Sequence, residues 1–177
     1  ILAGGGVIAG DAADELAAVA RTAGVPVATT LLGLGAFPET DPLALRMVGM
    51  HGLVAANRAI NACDLLVSVG ARFDDRVTGK IAEFAPHATI AHIDIDPSAI
   101  AKSVETDIPV VGHVKRVLQD LLPQIERRER PELHIRQRVC LHCHRHSGNH
   151  LLHVQECRQS VPVQRPARSS RNIWQYV

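Results

Sequence analysis

Aromatic side chains are nearly missing from this chain. Its 177 residues are 3% aromatic, with one Trp, one Tyr and three Phe. Any core must therefore be aliphatic, for which a 46% hydrophobic content suffices. A surface that stacks rings on bases has almost nothing to work with, so nucleic acid is not expected as a partner. Apolar runs of the ~18 residues a membrane span needs are absent, and so is a secretory signal. Cysteine is scarce ahead of residue 126, where Cys63 stands alone. That excludes a disulfide framework there and fits a reduced, cytoplasmic protein with a small buried thiol. An initiator Met is lacking, and Ile1-Leu2-Ala3 opens inside an apolar run, as a piece cut from a longer protein would.

What is present falls into two kinds of sequence joined near Ile125. The net charge of +1 conceals the join. Residues 1–125 carry nine Lys/Arg against fourteen Asp/Glu, and residues 126–177 carry ten against four. Six of the ten histidines and three of the four cysteines also lie in the second part.

In the first part, short apolar runs alternate with helical patterns. The runs are Ile1 to Ala3, Val25 to Thr29, Leu65 to Val69, Thr89 to Asp94 and Ile108 to Val111. Helices are expected over Ala12 to Ala23, Val54 to Ala62, Ser98 to Val104 and Val114 to Leu122, the first with Leu16, Val19 and Ala20 on one apolar face. Such alternation means βαβ units on a parallel sheet, and right-handed crossovers favour a Rossmann-like, doubly wound α/β fold. Ligands of such sheets bind outside the carboxyl ends of the strands.

The candidate sites sit at those ends. Gly4-Gly5-Gly6 follows the first run, and Gly4, Gly6 and Ala9 meet the G-x-G-x-x-G/A spacing. A phosphate-cradling turn and a ligand-free tight turn both account for it. Thr29 to Gly35 (TTLLGLG) follows the second run and could lie along a flat, partly apolar ligand, or simply connect two elements. Gly49-Met50-His51-Gly52 is read as opening a helix whose free N–H groups can hold an anion, with His51 in cofactor contact rather than acting as a base. Gly70 to Arg76 (GARFDDR) puts two arginines at a strand end, suited to phosphate or carboxylate. A salt-bridge network of Arg72 and Arg76 with Asp74 and Asp75 is the alternative, and both readings can hold together. After Thr89 to Asp94, Asp94 is read as accepting from a ribose hydroxyl and Asp96, before Pro97, as a helix N-cap.

Residues 126–177 show little periodicity, and a poorly folded tail is expected. Cys140, Cys143, His142, His144, His146, His150, His153 and Cys157 include a C-x-x-C, but the spacings fit no standard zinc finger. No metal site is assigned. A shifted reading frame through GC-rich coding DNA would give this composition.

Three stretches carry a family resemblance: TLLGLGAFPETDPLALRMVGMHG, ANRAINACDLLVSVGARFDDRVTGK and HIDIDPSAIAKSVETDIPVVG. They make residues 1–125 similar to the central domain of the acetolactate synthase (acetohydroxyacid synthase) large subunit, a thiamine-diphosphate enzyme family. The resemblance implies an FAD-binding domain in which the flavin is mainly structural. It implies a whole enzyme that condenses pyruvate with a second 2-ketoacid, giving 2-acetolactate or 2-aceto-2-hydroxybutyrate for valine, leucine and isoleucine synthesis. By motif position, Gly6, Thr30, Leu31, Gly49, Met50, His51, Gly70, Arg72, Asp74, Asp94 and Ile95 should line the FAD site. Arg76 should face the second ketoacid's carboxylate, with Met50 near it. Gly112-His113 departs from the family's usual Gly-Asp and puts one flavin contact in doubt. The family's activating glutamate and its Mg²⁺- and diphosphate-holding Gly-Asp-Gly motif belong to other domains, so no catalytic residue is expected here and the chain should be inactive alone. The family assembles as homo-oligomers with a regulatory small subunit. Two other functions compete with this one: a non-catalytic module for ADP or a CoA-like ligand, and a zinc- or nucleic-acid-binding protein using the basic tail.

Overall fold

A computed structural model describes residues 1–126. Its strands are β1 (Leu2–Ala3), β2 (Val27–Thr29), β3 (Ala44–Met47), β4 (Leu65–Val69), β5 (Thr89–Asp94) and β6 (Ile108–Val111). All pair in parallel, in the order β3-β2-β1-β4-β5-β6. This is the doubly wound arrangement, with its topological switch point between β1 and β4. The helices are α1 (Gly5–Ala9), α2 (Ala13–Ala23), α3 (Val54–Ala62), α4 (Asp75–Thr78) and α5 (Val114–Leu121).

Successive strand residues face opposite sides of the sheet, so each strand feeds two cores. Ala3, Val27, Val69 and Ile93 pack with Val7 of α1, Leu16, Val19 and Ala20 of α2, and Val114 and Leu118 of α5. Leu2, Ala28, Leu66 and Ile90 face the other way, onto Ala56 and Ile60 of α3 and onto Phe73 and Phe84. Both cores are aliphatic apart from three phenylalanines. The apolar face of α2 is buried at Leu16, Val19 and Ala20, as its spacing requires. Asp14 and Glu15 stand in its first turn and Arg21 in its last, each favourable to the helix dipole. Gly24 ends it in the left-handed conformation.

Four elements differ from the sequence reading, one of them α4, which no helical pattern announced. β3 was not expected; it is an edge strand with a register shift beside it and Arg46 at φ 66°. The glycine turn itself winds into α1, five residues long. Ser98 to Val104 forms turns instead of a helix. Asp96 accepts from the Ser98 N–H (2.9 Å) and hydroxyl (2.7 Å), the cap geometry expected of it, but Ala101 at φ 57° turns the chain out of the helical path. The cysteine and histidine residues of the tail lie outside the described residues.

Candidate functional site

The sheet delivers every sequence-assigned residue to its carboxyl edge. Gly49, Met50 and His51 follow β3, Thr30 and Leu31 follow β2, and Gly6 follows β1. Gly70, Arg72, Asp74 and Arg76 follow β4, while Asp94 ends β5 and Ile95 follows it. Large apolar side chains stand exposed along this edge: Leu31, Leu32, Met50, Leu53, Ile95 and Val111. Leu31 is 68% exposed, Met50 72% and Ile95 65%. A monomer surface rarely carries such a row without a ligand or partner.

The glycines at the switch point serve close backbone packing. A Cβ on Gly4 would lie 2.1 Å from the Gly70 carbonyl oxygen, and one on Gly6 would lie 2.7 Å from Gly70 Cα. The Gly4 N–H donates to Val69 O (2.9 Å) and the Gly6 N–H to Gly70 O (3.0 Å). Close backbone packing accounts for glycine at positions 4 and 6. Thr30 is likewise turned to the fold, its Oγ1 accepting from the Gly33 N–H at 3.1 Å.

The turn after β3 departs from the anion-cradle expectation. The Gly49 N–H donates to Asn57 Oδ1 (2.8 Å), and Asn57 Nδ2 donates back to the Gly49 carbonyl (3.0 Å). The Met50 N–H donates to Arg76 O (2.8 Å), and the Gly52 N–H to Gly49 O (3.0 Å). The helix itself begins only at Val54. This turn offers side chains, Met50 and His51, both exposed. Asn57, which clamps it, escaped the sequence reading; its only signal is an amide in the first turns of the helix that follows the glycines.

The segment after β4 is built by one buried ring. Ala71 and Phe73 point inward, and Arg72, Asp74, Asp75 and Arg76 point outward. The salt-bridge network given as the alternative is not formed among the described residues. Asp74 Oδ1 (3.1 Å) and Asp75 Oδ1 (2.9 Å) both accept from the Arg76 backbone N–H, and neither guanidinium has an ion-pair partner among the described residues. The reason is local: a carboxylate at a helix start reaches orphan backbone N–H groups more readily than a long, solvated arginine. Hydrogen bonding with Asp75 and then with the Arg76 N–H holds the Asp74 carboxyl below the usual range, with weaker attraction from Arg72 and Arg76. The segment reaches the turn after β3 through the Met50–Arg76 bond, and the two enclose a cavity of about 300 Å³. Met50, Asn57, Ile60, Arg76 and Phe84 are among its lining residues.

Asp94 is less available than expected. It is 8% exposed, its Oδ1 accepts from the Asp96 N–H (2.9 Å), and its Oδ2 lies 3.9 Å from His92 Nε2. His92 itself was not singled out from the sequence. It is fully buried, and burial pushes its ring toward the neutral form, against the nearby Ala71 carbonyl and Asp94, which favour the charged one. At Gly112-His113 no aspartate stands in for the one the family resemblance expects. No cluster of three or more His, Cys, Asp or Glu that could hold a metal occurs among the described residues. No helix among them is long and apolar enough to cross a membrane.

Residues 1–121 match the family model described as "Thiamine pyrophosphate enzyme, central domain". A probable acetolactate synthase large subunit of Methanocaldococcus jannaschii is 60% identical over 122 residues, 69% of this chain and 21% of that protein. The acetolactate synthase of Mycobacterium bovis is 48% identical over 128 residues, 72% of this chain and 21% of its own length. The acetolactate synthase large subunit of Corynebacterium glutamicum is 52% identical over 119 residues, covering 67% and 19%. The chain thus spans about a fifth of the length of the curated relatives it matches. The all-parallel sheet, its switch point and the matched motifs agree, and the chain belongs to the family of thiamine pyrophosphate enzyme central domains.

Proposed function

We propose that this chain supplies the FAD-binding central portion of an acetolactate synthase large subunit. One observation carries the reading: an exposed apolar shelf and two guanidiniums with no ion-pair partner among the described residues share one sheet edge. Leu31, Met50 and Ile95 suit a flat ring system, and Arg72 suits a diphosphate through its planar fork. Arg76, on the rim of the cavity beside Met50, suits the carboxylate of a second 2-ketoacid. Gly6, Thr30, Gly49, Gly70, Asp74 and Asp94 shape the same edge through the backbone and turn bonds described above.

In the whole enzyme, FAD is structural. Joining pyruvate to the second 2-ketoacid belongs to thiamine diphosphate and Mg²⁺, held by other domains. The product feeds branched-chain amino-acid synthesis in the cytoplasm, and the assembly is a homo-oligomer with a regulatory small subunit. Alone, the chain forms no acetolactate.

Titration of the purified chain with FAD, followed by flavin fluorescence and repeated with ADP as competitor, tests the binding claim. Saturable binding that ADP displaces only at far higher concentration supports it. Equal affinity for ADP favours a non-catalytic nucleotide module instead. No saturation at millimolar FAD overturns the reading for this chain.

A further inference from the structure

The arginine segment holds a backbone conformation that its sequence does not favour. Phe73 sits at φ 50°, in the left-handed region, with a bulky side chain and no glycine's freedom. It is 3% exposed, although residues 72 and 74 on either side are exposed. Its ring meets Phe84 edge-on with centroids 5.8 Å apart, and His92 edge-on at 4.9 Å. A residue held in a sparsely populated conformation persists only where its surroundings over-determine it.

The surroundings here are unusual in themselves. His92 is fully buried, and neither ring nitrogen has a hydrogen-bond partner among the described residues. The Ala71 carbonyl and the Asp94 carboxylate lie near the ring without meeting hydrogen-bond geometry, so its burial is costly; the packing contact it makes is with the Phe73 ring. It lies on the same sheet face as its cross-strand neighbour Ser68 and supplies a flat wall against which the Phe73 ring packs. What Phe73 fixes is larger than itself. One residue on, Asp74 caps α4, the Arg76 carbonyl at its centre accepts from the Met50 N–H, and a Cβ on Gly49 would lie 2.5 Å from that carbonyl oxygen.

We propose that Phe73, seated on His92 and Phe84, is the positioning residue of this site. Its buried ring holds the strained turn that aims Arg72 and Arg76 outward, and through the Arg76 carbonyl it sets the Met50 turn. His92 acts by shape, as the seat of that ring. The consequence for ligand affinity rests on the FAD reading above; the consequence for backbone order does not.

The two are separable in one experiment on the full 177-residue chain. Amide hydrogen exchange is followed at Met50, Val77 and Thr78, whose N–H groups close this segment, with β4 and β5 as the internal reference. Phe73→Gly removes the ring and relieves the φ strain together, so the cost of the lost ring is offset in part. It should raise exchange at those three amides at least tenfold beyond any rise in β4 and β5, and lower FAD affinity at least tenfold. His92→Phe keeps a flat ring and should leave exchange and affinity within twofold of the parent chain; His92→Ala should behave like Phe73→Gly. If Phe73→Gly does not fold, Phe73→Leu carries the comparison, with protection intermediate. Unchanged protection at Met50, Val77 and Thr78 in the folded Phe73 variant overturns the proposal. So does loss of protection in His92→Phe. A parent chain that binds no FAD removes the cofactor reading, while the exchange result still decides the positioning role.

Discussion

The two segments on either side of the switch point both open on glycine after a strand and do opposite things. After β1, Gly4-Gly5-Gly6 presses its backbone against the end of β4, and its N–H groups donate to Val69 O and Gly70 O. After β4, a single glycine at φ 59° starts a segment whose exposed side chains carry the charge. One segment packs and the other presents. Glycine density therefore marks where two backbones touch at this sheet edge, and alternation of buried rings with exposed charge marks where a ligand can be met.

The sharpest way to break that contrast is to put a methyl group in the packing segment. Gly4→Ala drives a Cβ to 2.1 Å from one backbone oxygen and 2.5 Å from Ala71 Cα, neither of which can swing aside. The expected cost is at least about 3 kcal/mol, at the upper end of overpacking, read as a collapse of the urea midpoint or failure to fold. Gly35→Ala is the control. It has φ 93° but open space around it, so only backbone strain remains, about 1 kcal/mol.

Acid should act beneath the β4 segment. Burial lowers the His92 pKa from 6.5. The folded state then prefers the neutral ring, so its contribution is complete above pH 6.5 and is lost as pH falls below it. Urea midpoints should hold from pH 8 to pH 7 and fall from pH 6.5 to pH 5, and His92→Phe should flatten that fall.

Much of this architecture was legible because it rests on continuous apolar runs. β4, β5, β6 and α3 begin and end where the sequence pattern says they do. β3 was not, since Arg46 interrupts its apolar run at a left-handed residue and the strand pairs on one side only. Ser98 to Val104 misled because Asp96-Pro97 is a good helix start, while the left-handed Ala101 that ends it carries no glycine to announce it. At the site, the motif positions all reached one edge, but the direction of each polar group did not follow from them. Which carboxylate captures a backbone N–H, and which N–H a turn leaves free, depends on contacts near 3 Å that no hydrophobic period encodes. Asn57 closing on Gly49, eight residues away, and Met50 closing on Arg76, in another segment, are contacts of that kind.

Those contacts also couple the two presenting segments. Asn57→Ala removes both side-chain bonds to Gly49 and leaves a half-buried N–H and carbonyl to water. The expected loss is about 1–2 kcal/mol, with faster exchange at the Met50 amide than in β4. A loss confined to Gly49, with Met50 unchanged, would show that the turn after β3 and the Arg76 carbonyl are independent, and would divide the presenting edge in two.

The smallest stability effect should come with the clearest ligand effect. Arg72 is exposed and has no ion-pair partner among the described residues, so Arg72→Ala should move the urea midpoint by less than about 0.5 kcal/mol. If Arg72 meets a diphosphate, the same change removes a charge-assisted bidentate contact, and FAD affinity should fall roughly tenfold or more. Arg72→Lys keeps the charge and loses the fork, so it should recover only part of that affinity. Full recovery by lysine would mean that the segment supplies a positive field and no shaped contact. A stability loss as large as that of Gly4→Ala would mean that Arg72 belongs to the packing of the fold, and the division between the two segments would fail.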